Sequence, residues 1–316
     1  MTAKPQFPQE QAHDGSFKRQ EDAFRDWVTA DGSSGYPAQS GRYHLYVSLA
    51  CPWASRTIIA RKLKGLEAAI GMTVVDPIRD ERGWRFTAAE PDPLHGWAFL
   101  SEAYFASDPG YRSRVTVPIL WDTVTKRIVS NSDDDIMRML ETQFDAVAAY
   151  PQLDLYPSQL RSQIDELNEL LYETVNNGVY RAGFATSQSA YDSAAYGVFM
   201  TLDAMETRLA DLRYLFGPQP VESDWRLFVT LVRFDPVYYG HFKCNLRRIV
   251  DYPNLYGYLR DLYQIDGIAE TVNIDHIKRH YYITQDEINP NGIVPIGPLM
   301  DLSAPHGREE LSKDWT

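Results

Sequence analysis

Residues 42–66 read RYHLYVSLACPWASRTIIARKLKGL, and this stretch determines how the first half of the chain is expected to fold. From Arg42 to Leu49 the residues alternate in character and are rich in β-formers, which predicts a strand. After ACPW, apolar residues recur at helical spacing until Gly65, a residue type that commonly follows a helix end. Proline is favoured at the first helical position, so Pro52 predicts that the helix begins directly after Cys51.

Cys51 thus lies at the junction of a predicted strand and a predicted helix. There its sulfur faces helix N–H groups that have no partner within the helix, and the positive end of the helix dipole. Such a position lowers the pKa of a thiol and favours the nucleophilic thiolate, although a lone cysteine often serves as a small apolar core residue. Residue 54 is alanine, so no CxxC pair is present, and a mixed disulfide at Cys51 needs an external thiol to resolve it.

The rest of the chain predicts two domains with irregular ends. A length of 316 residues exceeds one ordinary core. The expected divisions are an arm over 1–40, an α/β domain over 41–150, an all-helical domain over 151–288 and an extended tail over 289–316. In the α/β domain the remaining predicted elements are strands at Met72–Asp76, Val115–Asp122 and Lys126–Ser130, an insertion over 77–113, and a helix that starts near Ser132.

Two further features of the α/β domain are candidates for thiol binding. Pro118 falls within a predicted strand, where it cannot donate to the ladder, and the Val117–Pro118 bond is a candidate for cis; an ordinary edge-strand proline is the alternative. Ser132 with Asp135 forms a capping-box-like pattern at the start of the next helix. A helix N-terminus also receives carboxylates, so capping and binding are compatible there.

The composition restricts the partners and the compartment. The chain has 31 Lys and Arg against 43 Asp and Glu, a net charge of −12. This acidic balance disfavours nucleic acid and anionic membranes as partners. The N-terminus lacks an apolar signal core, and two cysteines make no disulfide framework. We therefore expect a cytoplasmic protein. His276 and His280 have HxxxH spacing without a third ligand, so no metal is expected, and we expect them to support the Tyr281 region.

Seven segments together resemble the Xi-class glutathione transferases, known as glutathionyl-hydroquinone reductases. They are YVSLACPWASRT (46–57), RGWRF (82–86), RVTVPILWD (114–122), IVSN (128–131), NNGVYRAGFATSQ (176–188), RFDPVYYGHFKCNLRRIVDYPNLYGYLRDLYQ (233–264) and HIKRHYY with INPNGIVPIGP (276–298). The last three are specific to this class. The resemblance implies a thioredoxin-like N-terminal domain, an all-helical glutathione-transferase C-terminal domain and a homodimer.

The resemblance also implies an activity, the reduction of glutathionyl-hydroquinones to hydroquinones. Cys51 thiolate would attack the thioether sulfur and release hydroquinone, and a second thiol would resolve the mixed disulfide. Glutathione or a related low-molecular-weight thiol is the implied co-substrate. Two functions from other groups stay open: an omega-like thiol transferase or dehydroascorbate reductase, which needs no tyrosine cluster, and a non-catalytic binding module that keeps only the fold.

Several site residues follow from matching motifs. Three tyrosines match hydroquinone-binding positions, namely Tyr180 in GVYRAGF, Tyr238 in DPVYYG and Tyr281 in RHYY, with Tyr239 and Tyr282 as adjacent alternatives. Phenols suit this substrate because they hydrogen-bond its oxygens and stack on its ring. Trp84 matches the tryptophan that packs against the bound thiol. Arg114 is a candidate for the thiol carboxylate, with an ordinary ion pair as the alternative.

One departure from the family pattern concerns the residues after IVSN. The family has Glu-Ser there, and this pair holds the γ-glutamyl group, whereas this chain has Ser132-Asp133. In one hypothesis the roles are exchanged, so that Asp133 takes the ammonium while Ser132 and helix amides take the carboxylate. In the other, Asp133 repels that carboxylate and the thiol is not glutathione, with γ-glutamylcysteine and mycothiol as candidates.

Overall fold

The computed structural model describes residues 10–311, which divide into two compact units. The first, here called the sheet unit, contains residues 21–154 and 270–280. The second, the helical unit, contains residues 10–20, 155–269 and 281–311 among those described. The domain boundaries expected from the sequence stay a prediction.

A four-stranded mixed sheet forms the centre of the sheet unit. Its strands are β1 (Tyr43–Val47), β2 (Ile70–Val74), β3 (Ile119–Asp122) and β4 (Arg127–Ser130), in the order β2-β1-β3-β4. β1 pairs parallel to β2 and antiparallel to β3, and β3 pairs antiparallel to β4. Three helices accompany the sheet: α1 (Pro52–Leu63), α2 (Ser101–Ser107) and α3 (Asp133–Thr142), of which α1 and α3 pack against each other.

Three sequence predictions in this unit need correction. β2 begins at Ile70, two residues earlier than predicted, because Gly71 lies under His44, where an added Cβ would be 2.3 Å from Nδ1. β3 begins at Ile119, so Pro118 precedes the ladder instead of interrupting it, as its missing N–H requires. The insertion contains α2, a short helix whose N-cap residue, Leu100, offers no side-chain cap, so no capping signal marks its start in the sequence.

Helices make up the regular structure of the helical unit. They are α4 (Arg161–Leu171), α5 (Gly178–Gly183), α6 (Gln188–Arg208), α7 (Glu222–Arg233) and α8 (Pro253–Tyr263), followed by α9 (Ile274–Thr284), whose first seven residues belong to the sheet unit. Two π-helical turns, Tyr172–Asn176 and Phe234–Tyr238, follow α4 and α7. A thioredoxin-like unit with an all-helical unit confirms the predicted fold class. Within residues 10–311, the helices lack the length and apolar character that crossing a membrane requires.

Residues 285–311, which follow α9, contain no helix or strand, and one buried arginine anchors this segment. Arg308 is 3% exposed. Its guanidinium donates to the Leu209 carbonyl at 2.9 Å and the Arg213 carbonyl at 3.0 Å, and also to the Leu212 carbonyl. These carbonyls follow the C-terminal end of α6, where the helix itself supplies no partners.

Candidate active site

Cys51 occupies the N-cap position of α1. Its backbone is extended, with φ −79° and ψ 122°, and Pro52 fills the first helical position. The Cys51 carbonyl accepts the N–H of Ser55 at 3.0 Å, which closes the first turn. The side chain is half-buried. Its sulfur therefore lies at the N-terminal end of α1, where the first N–H groups have no partner within the helix. The helix begins directly after Cys51, as Pro52 predicted.

The Val117–Pro118 peptide bond is cis and borders this cysteine. The Cys51 Sγ is 3.6 Å from the Val117 carbonyl oxygen, which accepts a weak hydrogen bond from the thiol. Three residues before Val117, Arg114 is half-buried, and its carbonyl accepts the Tyr111 hydroxyl at 2.6 Å. A hydrogen bond thus holds the backbone three residues before Val117.

Trp84 is 4% exposed, and its ring contacts an imidazole and a guanidinium. The His280 ring stacks on it at 4.9 Å between centroids, and the Arg79 guanidinium carbon lies 5.5 Å from its ring centroid. His280 Nδ1 donates to the Pro77 carbonyl at 2.7 Å, which fixes the tautomer of the imidazole. The sequence assigned His280 to the Tyr281 region and did not indicate its contact with Trp84.

The first turn of α3 carries three consecutive carboxylates after its cap. Ser132 Oγ accepts the Asp135 N–H at 3.3 Å, so the predicted cap is present. The expected return bond from the Asp135 side chain is replaced by an ion pair, in which Arg25 donates to both of its oxygens at 2.7 and 2.8 Å. Half of the predicted capping box is therefore formed.

Arg56 neutralises much of the charge of this turn. Its Nη1 lies 2.9 Å from Asp133 Oδ2 and 3.0 Å from Asp134 Oδ1. The Arg56 side chain is completely buried, whereas that of Asp133 is 17% exposed. The guanidinium carbon also lies 4.8 Å from the Trp53 ring centroid, a cation–π contact. A ligand at this helix end would therefore meet an Asp133 whose charge is already paired.

In the helical unit, three hydroxyls converge from α5, the second π-helical turn and α9. The Tyr180 and Tyr281 oxygens are 2.5 Å apart, and those of Tyr238 and Tyr281 are 3.0 Å apart. All three residues are buried. We call them the tyrosine trio. The two hydrogen bonds join the three tyrosines that the motifs indicate. The adjacent Tyr239 and Tyr282 are half-buried and take no part in these two bonds.

Phe242 forms a wall of the tyrosine trio. Its ring stacks on that of Tyr238, with 5.5 Å between centroids and 16° between planes, and it meets those of Tyr180 and Tyr281 edge-on. The ring lies so close to α5 that a Cβ on Gly183 would be 2.3 Å from it. Glycine at this position is thus required for the packing that supports Tyr180.

Burial keeps Tyr238 and Tyr281 protonated. It raises the pKa of both residues well above the usual range, and the neighbouring Tyr180 phenol adds to the rise. The nearby Arg233 guanidinium acts in the opposite direction on the pKa of both residues. A neutral cluster of phenols in an aromatic environment is suited to a neutral aromatic diol more than to an anion.

Sequence reasoning missed Arg56 and the first π-helical turn. Arg56 follows Cys51 within a helix whose other buried residues are mostly apolar or small, and a charged residue on such a face was the available signal. The turn at Tyr172–Asn176 has no comparable sequence signal. It is held by Asn176, whose side-chain amide donates to the Arg226 carbonyl (2.8 Å) and the Thr230 hydroxyl (2.7 Å) of α7. Contacts of this kind depend on residues distant in sequence.

Comparison with known proteins places the chain in a family. It matches "Glutathione S-transferase, N-terminal domain" over residues 50–143 and "Glutathione S-transferase, C-terminal domain" over residues 188–261. Its structure superposes on the crystal structure of the glutathione-S-transferase Xi from Phanerochaete chrysosporium with a TM-score of 0.87 and 49% identity, covering 90% of this chain and 98% of the other. This chain belongs to the Xi-class glutathione transferases.

Two curated proteins and a second structure extend the comparison for this Xi-class transferase. It is 55% identical over 305 residues to the glutathionyl-hydroquinone reductase YqjG of Escherichia coli, with 93% of each chain covered. It is 48% identical over 291 residues to the glutathionyl-hydroquinone reductase PcpF of Sphingobium chlorophenolicum, with 91% of each covered. The glutathione-bound structure of YqjG gives a TM-score of 0.89, covering 91% of this Xi-class chain and 96% of that one.

Proposed function

We propose that this chain is a cysteine-dependent glutathionyl-hydroquinone reductase. The position of Cys51 at the N-cap of α1, where its side chain is half-buried, carries the proposal. Helix N–H groups in that position stabilise a thiolate, which is the attacking form of a thiol. The identity with two proteins named for this activity supports the choice of substrate.

The proposed reaction has two steps. In the first, Cys51 thiolate attacks the thioether sulfur of the conjugate, a sulfur–sulfur bond forms and the carbon–sulfur bond breaks. The electron pair of that bond goes to the aryl carbon, which takes a proton and leaves as hydroquinone. In the second, a thiolate attacks the mixed disulfide, which yields an external disulfide and restores Cys51.

The other candidate site residues have proposed roles in binding. The tyrosine trio binds the hydroquinone, since its hydroxyls and rings suit a neutral aromatic diol. The thiol is bound by a second set of residues: Trp84, Arg114, Val117, Pro118, Ser132 and Asp133. For these roles the support is the match to family motifs, together with the local contacts described above.

The pairing of Asp133 with Arg56 supports a thiol with a γ-glutamyl group, such as glutathione, over mycothiol. A carboxylate that is already paired repels a second carboxylate less than an isolated one does. We therefore favour the version in which Ser132 and the amides of α3 donate to the γ-glutamyl carboxylate and Asp133 accepts from the ammonium. Resolving the Cys51 mixed disulfide with glutathione, γ-glutamylcysteine and mycothiol in turn tests this. A much faster reaction with mycothiol than with glutathione would reverse the choice.

Mass spectrometry of the intact protein tests the central proposal. Incubation with glutathionyl-menadiol and no second thiol is expected to place one glutathione on Cys51 and to release menadiol. Cys51→Ser should give neither product. Cys244→Ser is the matched control, because burial raises the pKa of the Cys244 thiol to about 12, and it should react like the wild type.

Two results would contradict the proposal. One is the absence of an adduct with every conjugate offered, and the other is an equal adduct on Cys51→Ser. Reduction of dehydroascorbate without reduction of conjugates would identify the omega-like alternative instead. We further propose a homodimer in the cytoplasm, as the sequence predicts, and light scattering of the purified chain tests the oligomeric state.

A further inference from the structure

The guanidinium of Arg19 lies over the ring of one member of the tyrosine trio. Its central carbon is 4.9 Å from the Tyr180 ring centroid and 5.3 Å from that of Phe17. Its Nε donates to Asn177 Oδ1 at 3.1 Å, and Asn177 directly precedes α5. Two rings and one amide oxygen therefore define the position of this cation.

The segment that carries Arg19 is itself docked on the end of α5. Gln11 Nε2 donates to the Phe184 carbonyl at 3.1 Å, and the Gly15 carbonyl accepts the Thr186 N–H at 2.9 Å. Gly15 has φ +84°, and a Cβ there would be 2.8 Å from Ser187 Oγ, so only glycine allows this approach. Arg19 thus belongs to a segment that hydrogen bonds hold against the end of α5.

The two hydrogen bonds within the tyrosine trio do not use all of its hydroxyl protons. Three hydroxyls hold three protons, and the two bonds through Tyr281 use two of them. Loss of the third proton would leave a negative charge shared among buried phenols. Burial opposes that charge, and a cation close to one ring offsets part of the cost.

We propose that Arg19 is a positioning residue that stabilises the negative charge on the tyrosine trio while the trio protonates the aryl carbon. This rests on the proposed function. The trio gives one O–H proton to the carbon as that carbon receives the electron pair of the broken carbon–sulfur bond. The thiol that resolves Cys51 becomes a thiolate, and the proton it gives up restores the phenol. Protons and electrons balance over the cycle.

Two arginines on different elements lie near the tyrosine trio, and they differ in how much their substitution would disturb the fold. Arg233 is 2% exposed and donates to the Val229 carbonyl at 2.8 Å, so its removal would disturb α7. Arg19 is half-buried at the edge of the unit. Arg19 is therefore the cation whose substitution reports on charge with the least effect on folding.

The test compares two reactions that share Cys51 but differ in the need for a proton on carbon. The first is reduction of glutathionyl-menadiol; the second is reduction of the mixed disulfide of glutathione and 2-mercaptoethanol, in which only sulfur leaves. For Arg19→Met we expect kcat to fall about tenfold in the first reaction and to stay within about twofold in the second. Arg19→Lys keeps a cation and should recover most of the lost rate.

A matched control separates charge from local packing. Arg181→Met removes an exposed arginine from α5 that lies 3.8 Å from Glu173, and both rates should stay at the wild-type level. Thermal midpoints verify that each variant is folded. Equal losses in both reactions for Arg19→Met, or no loss in either, or no recovery with Arg19→Lys, would overturn the inference. A wild type that reduces the disulfide but no conjugate would instead refute the proposed function.

Discussion

The first turn of α3 and the tyrosine trio are both clusters of polar side chains, yet their polar groups are paired in opposite ways. The turn carries carboxylates, and each of the three is bonded to an arginine. The trio contains neutral hydroxyls that bond to one another. Full charges need opposite charges when water is scarce, whereas neutral hydroxyls satisfy each other. The first arrangement suits an ionic ligand and the second a neutral one.

The largest effect is expected where a buried cation is removed from the α3 turn. Arg56→Met leaves Asp133 and Asp134 without their guanidinium, which should lower the free energy of unfolding by about 3 to 4 kcal/mol, near the low end for broken buried pairs because both carboxylates reach water. It should also raise the KM for glutathione. Urea unfolding and thiol kinetics measure the two effects.

The exposed pair in the same turn is the control for that prediction. The Arg25 side chain is 60% exposed. Arg25→Met should therefore change the free energy of unfolding by less than about 1 kcal/mol. If both variants lose the same stability, the burial of Arg56 is not what makes its pair important.

The next effect concerns Asp224 in α7, a buried carboxylate to which no arginine within residues 10–311 is hydrogen-bonded. It accepts the N–H groups of Leu215 and Val221 at 2.9 and 2.8 Å and the Tyr258 hydroxyl at 2.8 Å. Burial nevertheless raises the pKa of Asp224 to about 6. An acid whose pKa is higher when folded contributes its full stability below its unfolded pKa and loses it as the pH rises through the folded value.

We therefore expect the contribution of Asp224 to fall by about 2 to 3 kcal/mol between pH 4 and pH 7. The stability advantage of the wild type over Asp224→Asn, measured by urea unfolding across this range, should shrink as the pH rises. An advantage that grows with pH would mean that the hydrogen bonds outweigh burial. In that case neutral donors would stabilise the Asp224 carboxylate as well as arginines stabilise the carboxylates of the α3 turn.

The smallest effect is expected for a neutral member of the tyrosine trio. Tyr281→Phe removes the central hydroxyl and both of its bonds, which should cost about 1 to 2 kcal/mol of stability and lower kcat on conjugates about tenfold. Tyr238→Phe removes only one bond and should cost about half as much stability. The mixed-disulfide reaction should be unaffected in both. A larger loss for Tyr238→Phe would show that Tyr281 is not the centre of the trio.

The local part of the fold was predictable because its signals lie close together in sequence. The strand, Cys51, Pro52 and the first helix follow one another within 25 residues, and the structure has them in that order. The predicted β2 began two residues too late, because the packing of His44 against Gly71 is a contact between strands that no local pattern indicates. Leu170 continues the helical spacing of apolar residues in α4, yet it is 45% exposed, because the buried apolar face of α4 contains only Ile164, Leu167 and Leu171.

The candidate site was predictable only where a motif marks the residue. Tyr180, Tyr238 and Tyr281 are up to 101 residues apart, and no local pattern indicates that their hydroxyls meet. Arg56 and Arg19 were missed for a related reason. A charged residue's partners are chosen by tertiary contacts, and Asp133 and Asn177 are 77 and 158 residues away from their respective arginines.

Arg308 has a practical consequence for anyone who shortens or fuses this chain. Its side chain joins the end of α6 to residues almost a hundred positions later. A protein cut before residue 308, or tagged by replacing its final residues from that point, would lose the donor for several helix-end carbonyls. Fusions should therefore begin after this arginine, and any shortened version should be checked for heat resistance before its kinetics are compared.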